Sequence, residues 1–228
     1  MNCEFLSRME EVLAFSALPA APECPRLCFD ETSKQLVKEV RPPLPMRLGH
    51  PQRYDYEDQR NGVVNLFLAY DMDAGQRHVT VTETRTRVDF AHQMKALLTG
   101  PYRDKKKVWV VLDNLNTHSP ASFYEAFPAE EARELVERVE FLSTPKHAGT
   151  LWVWLNQAEI ELSVLQGQCL NRKRGEKEML KREVAAWQEP RNRAGTKIKW
   201  CFRGEDACMK LKRLSHIWSS SRQNEFSS

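Results

Sequence analysis

The chain has 228 residues, of which 41% are hydrophobic and 29% charged, the make-up of one ordinary globular domain with room for a small appendage. No apolar run approaches the roughly 20 residues that cross a bilayer, and Met1-Asn2-Cys3-Glu4 opens no basic leader, so the expectation is a cytoplasmic protein. The net charge of +3 is unevenly spread: residues 171–213 carry 14 Lys/Arg against 6 Asp/Glu, and residues 1–170 carry 19 against 24. An acidic body joined to a basic segment suits carboxylate chemistry beside a polyanion-binding surface, although a solvated basic helix face accounts for the charge alone.

In chain order, Phe5 to Phe15 reads as a short amphipathic piece, followed by a Pro/Ala linker. Arg26–Asp30 is a first strand, and Ser33–Val40 continues as extended chain. The prolines of Arg41-Pro42-Pro43-Leu44-Pro45 exclude a helix or a central strand and open a loop running to about Gln59. Gly62–Tyr70 and Arg77–Thr84 form an antiparallel hairpin around Asp71-Met72-Asp73-Ala74-Gly75. Val88, Ala91, Met94 and Leu98 recur at a helical period, which Gly100-Pro101 ends. Val108–Leu112 is apolar on both faces, as a central strand covered by helices should be.

Pro120–Arg138 is helical with a break at Phe127-Pro128, Val139–Leu142 is a short fifth strand, and Asn156–Leu170 is a helix. Lys177–Gln188 is a basic helix with Leu180, Val184 and Trp187 on one stripe, expected to end at Pro190. Ile198–Phe202 reads as a strand, Asp206–Leu214 as a helix capped by Asp206, and Ser219–Ser228 as a disordered tail. The six cysteines form no Cys-x-x-Cys pair and no zinc set, so reduced structural thiols are expected.

This element order is that of a ribonuclease H-like α/β fold, a mixed five-stranded sheet flanked by helices, although the alternating pattern alone permits other α/β folds. The division expected is an N-terminal remnant or linker at 1–25, an RNase H-like domain at 26–170, a basic C-terminal helical extension at 171–218 and the tail at 219–228. Three acids then stand out. Asp30 and Asp113 close apolar strands, and ligands collect beyond such strand ends. Glu159 begins a helix that would cross the same edge. Alternation turns Glu31 away from Asp30, and Glu161 lies about 200° round the helix from Glu159, so neither neighbour is chosen. Magnesium prefers carboxylates and substrate phosphates, and two such ions about 4 Å apart clamp the oxygens of an in-line displacement. Each acid taken singly is better explained as a turn or cap residue, and only the three together point to a metal site.

On these residues the sequence resembles the DDE superfamily endonucleases, the catalytic domain of bacterial insertion-sequence transposases related to the mariner type. The resemblance is carried by Asp30-Glu31-Thr32-Ser33-Lys34-Gln35-Leu36, Arg53-Tyr54-Asp55-Tyr56-Glu57, Asp113-Asn114-Leu115-Asn116-Thr117-His118, Tyr124-Glu125-Ala126-Phe127-Pro128, Thr144-Pro145-Lys146-His147, Trp154-Leu155-Asn156-Gln157-Ala158-Glu159-Ile160-Glu161 and Leu211-Lys212-Arg213-Leu214. It implies an RNase H-like fold, two Mg2+ or Mn2+ ions and cut-and-paste DNA transposition, usually into TA dinucleotides. It also implies a homodimer in the synaptic complex with transposon ends and target DNA, at the bacterial nucleoid. By motif, Asp30, Asp113 and Glu159 match the catalytic, metal-binding triad, with Asn114, His118 and Asn156 as site support. Arg172, Lys173, Arg174, Lys181, Arg182, Arg191 and Arg193 are candidates for phosphate contact.

Two departures from the family pattern matter. Family members usually read Pro-Lys-His-Gly-Ser-Trp-Leu-Asn, whereas Pro145 to Asn156 is about four residues longer here, in the loop that must deliver Glu159. A displacement of about 1 Å in such a site can cost about a hundredfold in rate. The N-terminal helix-turn-helix modules of full-length relatives also have no counterpart in the short stretch before the first strand. The second expectation is therefore an impaired transposase remnant that binds DNA or partner subunits without cutting. A general ribonuclease H or Holliday-junction nuclease would share the metal logic.

Overall fold

The computed structural model describes residues 3–40, 46, 49, 58–113, 115, 117–144 and 156–200. The loop before Asn156, the helix expected at Asp206–Leu214 and the tail lie outside them, as does Asn114. The strands are β1 (Arg26–Glu39), β2 (Asp58–Asp71), β3 (Gln76–Thr82), β4 (Val108–Leu112) and β5 (Val139–Ser143). They form one sheet in the order β3-β2-β1-β4-β5. β1, β2 and β3 pair antiparallel as a meander, and β4 and β5 add in parallel through helical crossovers. The expected five-stranded mixed sheet is the one observed.

The helices are α1 (Cys3–Ala17), α2 (Arg87–Thr99), α3 (Ala121–Ala126), α4 (Ala129–Glu137), α5 (Gln157–Leu165) and α6 (Lys177–Arg193). Strand alternation divides the core between the two faces of the sheet. Cys28, Leu66, Leu68, Tyr70, Val111 and Leu142 pack under α1, α5 and α6. Leu27, Phe29, Phe67, Val110 and Leu112 pack under α2, α3 and α4. Each residue of a central strand is thus apolar for one face or the other, which is why β4 reads as an unbroken apolar run.

Helices α1 and α6 both contribute to the core on one face of the sheet. Met9, Val12, Leu13 and Phe15 of α1 are buried, and Phe15 packs on Trp109 with ring centroids 5.2 Å apart. Arg26 closes the helix by donating to the carbonyls of Phe15 and Leu18, each at 2.8 Å. From α6, Leu180 and Val184 are buried in the same cluster. α6 also covers the edge strand β3: Gln188 accepts from the Val79 N–H, while Asn192 accepts from the Arg77 N–H and donates to the Arg77 carbonyl, all at 2.7 Å. An exposed edge is a template for unwanted strand pairing; here side-chain amides occupy it.

Three expected boundaries are corrected. α6 continues through Pro190 to Arg193, because the docking of Asn192 on β3 holds the last turn despite the missing N–H. The helix from Asn156 stops being α-helical at Leu165 and widens into a π-turn over Gln166–Leu170; this turn buries both Cys169 and Leu170. Residues 198–200 are not a strand: the Ile198 N–H donates to the Tyr70 hydroxyl at 2.9 Å instead of joining a ladder.

One ion pair joins the sheet to α5. Arg77 of β3 and Glu161 of α5 meet in a bidentate pair at 2.7 and 2.8 Å, with side chains 0% and 2% exposed. The guanidinium also donates to the carbonyls of Gly75 and Thr196, each at 2.7 Å, and lies over the Tyr70 ring. Removing one partner of such a pair leaves a buried charge uncompensated. We expect Arg77→Ala to cost about 3–5 kcal/mol, measured by urea denaturation. The paired change Arg77→Met with Glu161→Leu should cost clearly less.

Candidate active site

The three acids are brought to one edge of the sheet. β1 and β4 pair in parallel, with Arg26, Leu27 and Cys28 opposite Trp109, Val110 and Val111. Continuing that register sets Asp30 beside Asp113. Asp30 is not at the end of its own strand, as expected, because β1 runs on to Glu39 paired with β2 alone. It stands where β4 stops, so the switch in neighbours, not the end of β1, marks the site.

Asn156 delivers the third acid. Its side-chain oxygen accepts from the Ala158 N–H at 3.1 Å and caps α5. Its amide donates to the Phe29 carbonyl at 2.9 Å, one residue before Asp30. A single buried side chain thus starts the helix and ties it to β1. The first turn of α5 then carries Glu159 to the face of β1 on which Cys28 and Asp30 lie. Glu161, excluded above on helical geometry, turns into the core to meet Arg77.

Asp30 and Glu159 each feel the charge of neighbouring acids. Burial pushes the Asp30 carboxyl up to about 7; repulsion from Glu159, Asp113 and Glu31 adds to the shift, and a hydrogen bond from the Glu31 N–H opposes it. Glu159 is pushed up to about 7 as well, first by burial and then by Asp113. Negative charge is therefore concentrated at this edge. Among the described residues no three His, Cys, Asp or Glu side chains enclose a common point at ligating distance. The donor set nevertheless fits a hard divalent cation: carboxylate oxygens, partly open to solvent, of the kind such ions prefer.

His118 bridges two carboxylates. Its Nδ1 lies 2.6 Å from Asp113 Oδ1 and its Nε2 2.8 Å from Glu31 Oε2. Burial alone would lower its pKa, but the hydrogen bonds and charges of Asp113 and Glu31 outweigh burial and raise it to about 9. With both ring nitrogens engaged, His118 holds side chains in place and has no free nitrogen for a metal or phosphate. Asn156 likewise acts by structural hydrogen bonds. Glu31 is the residue that the sequence reading passed over; the His118 of Asp113-Asn114-Leu115-Asn116-Thr117-His118 was its signal.

The basic candidates are mostly occupied. Lys173 pairs with Asp58, Arg174 with Glu183, Lys181 with Glu178, Arg193 with Glu189, and Arg191 reaches Glu161 at 3.5 Å while lying over Trp187. Arg172 and Arg182 are exposed and make no ion pair among the described residues.

Residues 25–181 match the family described as DDE superfamily endonuclease. The chain belongs to that family. No curated protein matches it, but solved structures share the fold. The Mos1 mariner paired-end complex with Mn aligns with a TM-score of 0.52 at 17% identity, covering 86% of this chain and 59% of that one. The Mos1 transposase paired-end complex with the left transposon end gives 0.52 at 15%, with the same coverage. The Mos1 strand transfer complex gives 0.52 at 16%, covering 83% and 55%. The chain therefore spans somewhat under three-fifths of the length of those proteins. The RNase H-like sheet supplies the frame on which Asp30 and Asp113 are set.

Asn156 makes this frame testable. Asn156→Ala removes both the cap and the tie to β1 and should cost about 1–3 kcal/mol. Asn156→Ser should recover only the capping part, as read from urea-denaturation midpoints.

Proposed function

We propose that the chain is the catalytic domain of a DNA transposase: a metal-dependent endonuclease and strand transferase that cuts phosphodiester bonds at transposon ends and joins them to target DNA. The observation that supports this reading is the β1–β4 register, which continues to Asp30 beside Asp113, together with the electrostatic coupling of Glu159 to both, in a chain of the DDE endonuclease family. The aligned Mos1 structures, which include complexes with Mn and with Mg, support the same chemistry.

Asp30, Asp113 and Glu159 would hold two Mg2+ or Mn2+ ions. When bound, such ions stabilise the attacking and leaving oxygens of an in-line displacement. The protein's own share is positioning. The β1–β4 pairing sets Asp30 and Asp113 side by side, Asn156 and the Arg77–Glu161 pair fix the helix that carries Glu159, and His118 holds one oxygen of Asp113. Hydrolysis frees a 3′-hydroxyl, which then attacks target DNA in the same geometry. Arg172 and Arg182 are the basic residues most open to phosphate, with the ion-paired residues of α6 behind them; such contacts add affinity and salt dependence rather than sequence specificity. Pairing of two such chains on two DNA ends, at the bacterial nucleoid, follows from the same reading.

A second reading is a chain that keeps the fold and binds DNA or a partner subunit without cutting. It is favoured by one observation: the acids interact but do not enclose a common ligating point among the described residues. A supercoiled-plasmid nicking assay separates the two. We expect Mg2+- or Mn2+-dependent nicking that is abolished by EDTA. Asp30→Asn, Asp113→Asn and Glu159→Gln should each lower it by at least about a hundredfold. Nicking equal in wild type and Asp113→Asn would refute the site; tight DNA binding without any nicking would establish the second reading.

A further inference from the structure

We propose that Glu31 is a positioning residue that acts through His118 to set the carboxylate of Asp113, a role that rests on the metal-dependent cleavage proposed above. Strand alternation turns Glu31 away from Asp30, toward the face covered by α2 and α3. Its side chain is 5% exposed and His118 only 1%. The imidazole lies edge-on to Phe29 and tilted against Phe90, with ring centroids 5.7 and 4.8 Å away. Packed in this way the ring has little freedom to turn, and its two nitrogens span from Glu31 Oε2 to Asp113 Oδ1.

The place of this chain of side chains gives it its purpose. The β1–β4 ladder ends at Cys28 and Val111, so no strand pairing holds Asp113 against β1. Glu31 and His118 take over where the backbone stops: one is fixed in the β1–β2 ladder opposite Phe67, the other is fixed by the aromatic rings. The result is that Asp113 has Oδ1 committed and Oδ2 left for the site, with the side chain 34% exposed. Partners that orient metal ligands in this way typically change affinity or activity by about 10–100-fold when removed.

The test uses Mn2+ alone as the probe, its binding followed by the electron paramagnetic resonance signal of the free ion, on the whole chain. Thermal melting of each variant reports folding. Glu31→Ala should weaken Mn2+ binding by about 10–100-fold. Glu31→Gln, whose amide still meets Nε2, should recover most of that loss. His118→Ala should match Glu31→Ala, and the double variant should be no worse than either, because both act along one path.

Additive losses, or Mn2+ binding by Glu31→Ala within about threefold of wild type, would overturn the proposal. Equal losses in the Gln and Ala variants would also overturn it, since charge and not placement would then be the cause. If Glu31→Ala does not fold, the comparison of Glu31→Gln with His118→Asn, which reaches Asp113 but not Glu31, decides in its place: His118→Asn binding as well as Glu31→Gln overturns the role. A wild type that binds no Mn2+, with Asp113→Asn indistinguishable from it, would remove the cleavage reading and this role together.

Discussion

Helix α5 is fastened to the sheet at two buried points, and the site depends on both. Asn156 ties its first turn to the Phe29 carbonyl of β1, and Glu161 ties its middle to Arg77 of β3. Glu159 lies between them. A helix held at one point could still rotate about its axis and carry Glu159 away from Asp30. Held at two points on different strands, it presents Glu159 in one direction. The buried charge of Glu161 is costly to place in the core, and the bidentate geometry and further hydrogen bonds of Arg77 offset that cost. The protein therefore uses a structural acid, two residues further on, to aim the acid proposed to be functional.

The same economy appears at Asp113. The strand pairing that places Asp30 and Asp113 side by side ends before it reaches them. Side chains complete what the ladder leaves open: Glu31 and His118 on one face of β1, Asn156 on the other. The site is thus a set of acids placed by the sheet and oriented by polar contacts that are themselves buried. Burial, and after it repulsion among the acids, raises the proton affinity of Asp30 and Glu159, and a divalent cation would answer both as a counter-charge.

Much of this was legible in the sequence because it is periodic or punctuated. The unbroken run Val108–Leu112 gave β4 to the residue, and Gly100-Pro101 and Phe127-Pro128 marked the breaks around α2, α3 and α4. What local reading missed depends on distant partners. Pro190 ends a helix on propensity, yet Asn192 docks on β3 and carries α6 past it. Glu31 was set aside because alternation turns it from Asp30; only the fold brings it to His118. Five of the seven basic residues named for phosphate contact are held by carboxylates from Asp58, Glu161, Glu178, Glu183 and Glu189, a pairing that charge counting along the chain does not display. The length of the Pro145–Asn156 stretch is visible in sequence, and all of it before Asn156 lies outside the described residues.

The central claim is that Asp30, Asp113 and Glu159 form one metal site. Anomalous diffraction from crystals grown with Mn2+ tests it most directly. The account predicts anomalous peaks at the β1–β4 edge, with oxygen ligands from Asp30 and Asp113 and with Glu159 reaching at least one of the ions. Peaks elsewhere, or ions held at this edge while Glu159 stays out of reach, would contradict it.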